Sequence, residues 1–113
     1  MLVALNRETG QILSTAQGTG IDLAYGRPHP DTGASLSGTP IPNWKRVCEL
    51  AREAARLFPG IRTQSWDIAL TDRGPVCLEV NFGGDLNLAQ LAEGRGVLDE
   101  TYHDHLSVCG YRF

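Results

Sequence analysis

The chain has 113 residues, a length that suits one small domain with a core of modest size. Hydrophobic residues make up 42% of the sequence, and the formal net charge is −3. This composition is typical of a globular protein and gives no sign of a basic surface that would bind nucleic acid. No apolar run reaches the ~18 residues that a membrane span needs. The N-terminal residues 1–5 lack the basic flank and long apolar core of a secretory signal.

The chain contains three cysteines, Cys48, Cys77 and Cys109. Their number is odd, and no two have the spacing of a zinc knuckle or a redox pair. This usage predicts reduced thiols in a cytoplasmic protein.

Two apolar segments open the chain, at residues 2–5 and 11–16, and the turn cluster between them ends in Gly10. This pattern predicts a β-hairpin. Residues 17–42 then form a long loop, because Pro28 and Pro30 on either side of His29 exclude a regular helix or a central strand. Loops of this length in a compact domain are usually functional or disordered.

Residues 43–58 predict the clearest helix of the chain. Apolar residues recur there at helical spacing and form one stripe, which consists of Trp44, Val47, Cys48, Ala51, Ala54, Ala55 and Phe58. Charged side chains occupy the opposite face. Asn43 or the preceding proline begins the helix, and Pro59-Gly60 ends it.

Two strand patterns follow, at residues 61–70 and 76–82, and a bend at Gly83-Gly84 comes next. Asp85 is placed to cap a short helix that runs to Leu91. In the C-terminal tail His103 and His105 flank an aspartate, but no third metal ligand is evident. We therefore expect an exposed helix or tail there and no metal site.

Together these elements predict an α+β fold in which two β-hairpins form an antiparallel sheet and the 43–58 helix packs on one face. Residues 1–113 would form a single domain.

The second hairpin carries the chemistry. Asp72-Arg73-Gly74 suits a three-residue turn in which Gly74 takes the left-handed position. A turn centred on Arg73 pairs Asp67 with Glu79. The same register predicts four more pairs, Ser65 with Asn81, Trp66 with Val80, Ile68 with Leu78, and Leu70 with Val76.

Because side chains alternate along a strand, this register separates two unlike faces. One face is wholly apolar. The other carries Asp67, Glu79 and Asn81, with the small residues Ala69 and Cys77 beside them. An ordinary solvent-facing strand pair is the alternative interpretation, but such a face usually mixes lysine and arginine with its acids.

The two carboxylates of this face would be directly opposed, about 5 Å apart at Cβ. Like charges at that distance are destabilising unless a cation lies between them or one carboxyl is protonated. Asp, Glu and Asn all offer oxygen, and oxygen-only ligand sets select Mg²⁺, Ca²⁺ or Mn²⁺.

The hairpin sequence resembles the C-terminal part of ATP-grasp domains, and most of all the sugar-transfer-associated group related to glutamate ligases. The resemblance is carried by WDIALT at 66–71, GPV at 74–76, LEVN at 78–81, GGD at 83–85 and Gln90. The HPDTG loop at 29–33 and the start of the 43–58 helix are also similar, so the similarity extends over residues 12–91.

The resemblance implies a domain that binds ATP and Mg²⁺ and belongs to a ligase. In this family an Asp, a Glu and an Asn hold the Mg²⁺ ions that bridge the ATP phosphates, and by position these residues are Asp67, Glu79 and Asn81. A substrate carboxylate would attack the γ-phosphoryl group to give an acylphosphate, which an amine or thiol-type nucleophile then takes. The resemblance makes Arg27 and Arg62 candidates for contact with phosphate or with the carboxylate substrate.

Two features depart from the family pattern. Ser65 stands where many members have an arginine, two residues before the first metal ligand. Lys45 is the only lysine and lies on the polar face of a helix, so it does not replace the family's phosphate lysine. We therefore expect the chain to be the metal-binding half of a longer unit whose N-terminal half would precede Met1. Such a half-domain is expected to associate with that missing half or with a second copy.

Two alternatives remain at this stage. A non-catalytic ATP-grasp remnant or binding module would keep the fold without turnover. A glycoside hydrolase would use Asp67 and Glu79 as its carboxylate pair, at the ~5 Å spacing of retaining enzymes, but it has no need for Asn81 as a third oxygen ligand.

Overall fold

A computed structural model describes residues 1–112 and has the predicted α+β fold. The strands and helices follow one another along the chain as β1 (Leu2–Leu5), β2 (Ile12–Gln17), β3 (Ala24–Tyr25), α1 (Trp44–Ala55), β4 (Gln64–Thr71), β5 (Gly74–Phe82), α2 (Leu86–Glu93) and α3 (Glu100–Val108). A short 3-10 helix, Gly20–Asp22, precedes β3. No helix within residues 1–112 is long and apolar enough to cross a membrane.

The two predicted hairpins both form, but each lies in its own antiparallel sheet. The first sheet has the strand order β1-β2-β3, and the second contains β4 and β5 alone. The short strand β3 lies within residues 17–42, which were predicted to be a loop. Its Tyr25 pairs with Ala16 of β2.

The first sheet packs against α2. The buried residues of this sheet and helix are mostly small. They include Ala4, Ala16 and Ala92, and the largest of them is Ile12. Ser14 Oγ on β2 donates a hydrogen bond of 2.9 Å to the Ala92 carbonyl on α2. This contact fixes the helix on the sheet.

Helix α1 has the predicted apolar stripe on its inner side. It begins after Asn43, which takes the left-handed conformation with φ 56°. Regular helix ends at Ala55, short of the predicted Phe58, and a tight turn continues with Phe58 N–H donating to the Ala55 carbonyl. Phe58 precedes a proline, whose ring disfavours helical geometry in the residue before it, and this explains the earlier end.

The apolar face of the second hairpin packs against α1 as predicted, but Val76 and Leu78, which the predicted register places on that face, are exposed. The Phe58 ring lies 6.0 Å from the Trp66 ring and 5.3 Å from the Phe82 ring. Gln64 on β4 donates from its side-chain amide to the carbonyls of Ala55, Phe58 and Ile61. These bonds tie β4 to the end of α1 and to the connection that follows it.

The register of the second hairpin differs from the prediction in two places. The turn contains two residues rather than three, since Thr71 pairs with Gly74. A β-bulge then inserts Leu78 between the pairs Ile68–Cys77 and Asp67–Glu79. The predicted pairs Ile68–Leu78 and Leu70–Val76 are therefore wrong, and Ile68 and Leu70 pair instead with Cys77 and Pro75.

The side chain of Thr71 explains the tighter turn. Its hydroxyl donates to the Gly74 carbonyl at 2.8 Å and accepts from Arg73 N–H at 3.2 Å. Gly74, with φ 112°, takes a backbone conformation that other residues rarely adopt.

The two C-terminal helices begin at aspartate caps. Asp85 accepts a hydrogen bond from Asn87 N–H at the start of α2, as predicted, and Asp99 accepts one from Tyr102 N–H at the start of α3. His103 and His105 lie on α3. This is the helical alternative predicted for the tail.

Candidate metal centre

The structure brings Asp67, Glu79 and Asn81 together on one face of the second hairpin. Asp67 pairs directly with Glu79 across the strands, and Asn81 lies two residues further along β5 on the same side. All three side chains are exposed, because α1 covers only the opposite face.

Within this trio the Asn81 side chain contacts Glu79. Asn81 Nδ2 donates a hydrogen bond of 3.0 Å to Glu79 Oε1. The bond orients both side chains on the sheet surface. It leaves the Asn81 carbonyl oxygen and the second Glu79 oxygen to act as ligands.

Ser65 continues the same row of side chains beyond Asp67, opposite Asn81. The backbone of Gly84, which bends away from the end of β5, lies directly against the Ser65 side chain, so that a Cβ on Gly84 would overlap it. The glycine bend therefore closes one end of the trio's face, and a side chain longer than serine at position 65 would displace it.

The β-bulge changes the surroundings of the trio. Val76, paired with Ala69, lies on the face of the acids, whereas Cys77 pairs with Ile68 and faces α1. The prediction that Cys77 lies beside the carboxylates is therefore wrong. Val76 is 47% exposed, so an apolar surface continues from the trio toward the turn.

The oxygen ligands suit Mg²⁺ bound together with a phosphate ligand. Within residues 1–112 no group of three or more His, Cys, Asp or Glu side chains is arranged to hold a metal ion. Two carboxylates and an amide do not enclose a cation. Mg²⁺ normally binds through one or two carboxylates and completes its shell with water and substrate phosphates, so an open face with these three ligands fits it.

The two candidate arginines lie apart from the trio. Arg27 lines a cavity of about 260 Å³ beside the first sheet, and its backbone carbonyl accepts a hydrogen bond from the Thr15 hydroxyl. Arg62 lines a groove on the α1 side of the second hairpin. Neither cavity includes Asp67, Glu79 or Asn81.

Sequence analysis missed the contact between Ser65 and Gly84. Ser65 was noted only as a departure from the family pattern, and the glycine pair only as a bend. The available signal was the position of two consecutive glycines directly after the Glu-x-Asn strand, since glycine allows close approach of the backbone.

Comparison with known proteins identifies the family. No protein of curated function and no solved structure matches the chain. The model of the sugar-transfer associated ATP-grasp family matches residues 1–104, which is nearly the whole chain and more than the 12–91 similarity seen in the motifs. The match indicates an ATP-grasp-type nucleotide-binding fold and gives no support to a glycoside hydrolase. The chain belongs to the sugar-transfer-associated ATP-grasp family.

Proposed function

We propose that Asp67, Glu79 and Asn81 hold the Mg²⁺ of bound Mg-ATP, and that the chain is the metal-binding part of an ATP-dependent carboxylate ligase. The observation that carries the proposal is the direct cross-strand pairing of two exposed carboxylates with an asparagine on the same face. Family membership supports the nucleotide as ligand.

The three side chains have distinct roles in this proposal. Asp67 and Glu79 provide negative charge from opposite strands, so that a cation between them removes their mutual repulsion. Asn81 holds Glu79 by its amide N–H, and its carbonyl oxygen is the third ligand of the proposal. Bound Mg²⁺ neutralises the charge that develops on the transferred phosphoryl group.

The substrate part of the proposal rests on the family alone. A carboxylate would take the γ-phosphoryl group of ATP with ADP as the leaving group, and an amine or thiol-type nucleophile would then attack the acylphosphate and release inorganic phosphate. Arg27 is exposed and lies in the loop beside the first sheet, where its guanidinium is available to a carboxylate or phosphate. The family resemblance makes Arg62 a candidate for the same role, but its groove lies on the other face of the hairpin, so the proposal gives this contact to Arg27.

We also propose that a second protein segment completes the site over the exposed face of the hairpin. The adenine pocket and a phosphate lysine would come from that segment, because Lys45 lies on the solvent side of α1. Metal binding, in contrast, depends only on residues of this chain and is testable on the chain alone.

The test is a titration of the protein with Mn²⁺, a paramagnetic substitute for Mg²⁺ with the same preference for oxygen ligands. Electron paramagnetic resonance measures the free Mn²⁺. We expect one bound Mn²⁺ per chain, weakened about tenfold or more by Glu79→Gln, since a lost carboxylate ligand of this kind is worth at least ~1.4 kcal/mol. Repeating the Mn²⁺ titration with a non-hydrolysable ATP analogue present then tests whether the nucleotide phosphates complete the coordination of the metal.

Asp72→Asn is the matched control, because it removes one negative charge from the turn of the same hairpin without touching the trio. If Asp72→Asn weakens Mn²⁺ binding as much as Glu79→Gln does, the loss comes from the change in net charge and not from a missing metal ligand. If the wild-type protein binds neither Mn²⁺ nor the Mg-nucleotide, the metal site is refuted, and a non-catalytic ATP-grasp remnant becomes the better description.

A further inference from the structure

The second hairpin has a groove on the face opposite to Asp67, Glu79 and Asn81. It lies between the C-terminal half of α1, the connection to β4, and α3, and its volume is about 480 Å³. Its floor is apolar and aromatic, formed by Ala55, Phe58 and Trp66. The volume lies within the ~300–1,000 Å³ range of small-molecule sites in proteins.

The aromatic floor of this groove is held in place by hydrogen bonds. Trp66 Nε1 donates to the side-chain oxygen of Gln64 at 3.0 Å, and the Gln64 amide donates in turn to three backbone carbonyls, one at the end of α1 and two in the connection after it. The Phe58 ring packs against Trp66. A ligand would therefore meet a flat surface that is already formed, with little ordering cost on binding.

The charged residues around the groove are both arginines. Arg52 on α1 and Arg62 before β4 line it, His105 reaches it from α3, and within residues 1–112 no carboxylate is among its lining residues. Neither arginine forms an ion pair with any residue in the described part of the chain, whereas Arg46 and Arg95 each bind two carboxylates. Two guanidinium groups beside an apolar floor are thus left without an anion.

We propose that this groove binds a small organic anion with a planar apolar body and a carboxylate. The body lies against Trp66 and Phe58, and the carboxylate pairs with Arg52 and Arg62, whose guanidinium groups recognise carboxylates by paired hydrogen bonds. The site is separate from the proposed metal centre, because the two lie on opposite faces of one two-stranded sheet. Binding here does not require Mg²⁺ or nucleotide.

The two tryptophans of the chain provide the measurement. The indole N–H groups of Trp44 and Trp66 both donate hydrogen bonds, and only Trp66 lines the groove. Naphthalene-2-carboxylate is titrated into the ¹⁵N-labelled protein, and ¹H–¹⁵N correlation spectra follow both indole signals. We expect saturable movement of the Trp66 signal in the millimolar range or tighter, while the Trp44 signal stays in place.

Three comparisons make this test specific. The uncharged naphthalene-2-carboxamide is expected to bind at least fivefold more weakly, and Arg52→Gln and Arg62→Gln are each expected to weaken the carboxylate by a similar factor. Arg56→Gln is the control, since Arg56 lies at the end of the same helix and outside the groove. The proposal fails if the Trp66 signal does not move, if the amide binds as well as the carboxylate, or if Arg56→Gln has the same effect as the two groove variants.

Discussion

At the scale of one residue, Gly10 determines how α1 packs against the first hairpin. The residue is buried, its φ is 72°, and a Cβ placed on it would overlap the Trp44 indole ring. The same indole donates a hydrogen bond of 3.0 Å to the Arg7 carbonyl in the hairpin turn. The glycine identified in the sequence as part of a turn thus also creates the space into which the first residue of α1 packs.

Gly10→Ala should therefore destabilise the fold for two reasons. The left-handed backbone costs a non-glycine residue roughly 1–2 kcal/mol, and overpacking against Trp44 adds about 1–3 kcal/mol. Gly33→Ala is the control, because Gly33 has a similar φ of 69° but open space where its Cβ would lie. Urea unfolding of both variants measures the difference, and equal losses of unfolding free energy would show that the Trp44 contact contributes nothing.

The common face of Asp67, Glu79 and Asn81 was predictable from the sequence, because side chains at alternate positions of a strand lie on the same face. Their exposure was not identifiable in the same way. It depends on which face of the hairpin α1 covers, and that contact joins residues far apart in the chain, such as Phe58 and Phe82. Residue types and alternation therefore predicted that the three side chains share a face but did not predict the surroundings of that face.

At the scale of elements, the second hairpin pairs Asp67 with Glu79 as predicted, although the predicted turn was wrong. The turn is one residue shorter than expected, and the bulge at Leu78 adds one residue back to β5. The shorter turn and the bulge offset each other, so the strands keep the predicted register from Asp67 to the open end of the hairpin. The tighter turn depends on hydrogen bonds of the Thr71 side chain, and a bulge has no fixed sequence signature, so neither was accessible to a pairing argument based on alternation.

Helix α1 was predicted well because its signal is local. An apolar stripe at helical spacing and a proline-glycine stop lie within one segment of the chain. The separation of the two hairpins into different sheets has no such local signal. This separation depends on which elements pack between and beside the strands, and the alternation of apolar and polar residues along a strand does not specify that packing.

Helix α3 offers a pH-dependent test of its N-terminal cap. Asp99 accepts a hydrogen bond from Tyr102 N–H and pairs with Arg95 at 2.9 Å. The hydrogen bond from Arg95 is the main cause that lowers the pKa of Asp99 below its ordinary 3.8, and the bond from Tyr102 N–H adds to it. Because the folded pKa lies below the unfolded one, this stabilisation is complete above pH 3.8 and is lost as the pH falls through the folded value.

Asp99→Asn is expected to keep the cap and remove its titration, since asparagine caps helices about as well as aspartate. Between about pH 5 and pH 2 the variant should lose less thermal stability than the wild type, and the Tyr102 amide signal should report the change locally. Asp72→Asn, which removes a carboxyl outside any helix cap, serves as the control. An acid-induced loss in Asp99→Asn equal to that of the wild type contradicts a role for the charged cap.

At the scale of the whole molecule, the chain exposes more surface than a compact protein of its mass. Its accessible surface is 8316 Å², whereas the scaling for folded monomers gives about 6,100 Å² at this mass. The radius of gyration is 15.5 Å, compared with about 13 Å for a compact domain of this length. The excess of about 2,200 Å² is as large as the area that one partner contributes to a large obligate interface.

The second hairpin concentrates this uncovered surface. Among the described residues 1–112 its two strands pair only with each other, and Leu70, Val76 and Leu78 are 45%, 47% and 67% exposed. A two-stranded sheet with unpaired edges is marginally stable alone and pairs readily with further chains. The prediction that the chain associates with a second copy or with another protein segment therefore centres on this hairpin.

In the absence of another partner we expect the chain to self-associate, so its average mass should rise above 12.3 kDa as concentration increases. Sedimentation velocity over about 5–200 μM covers the range in which weak interfaces of −5 to −7 kcal/mol populate dimers. Leu78→Lys should shift the protein toward monomer, because it places a charge at the exposed bulge. Leu57→Lys makes the same change at a residue 72% exposed beyond the end of α1 and should leave association unchanged. A monomer at all concentrations, or an equal effect of the two lysines, would mean that the hairpin is not the interface and that its open face is simply hydrated.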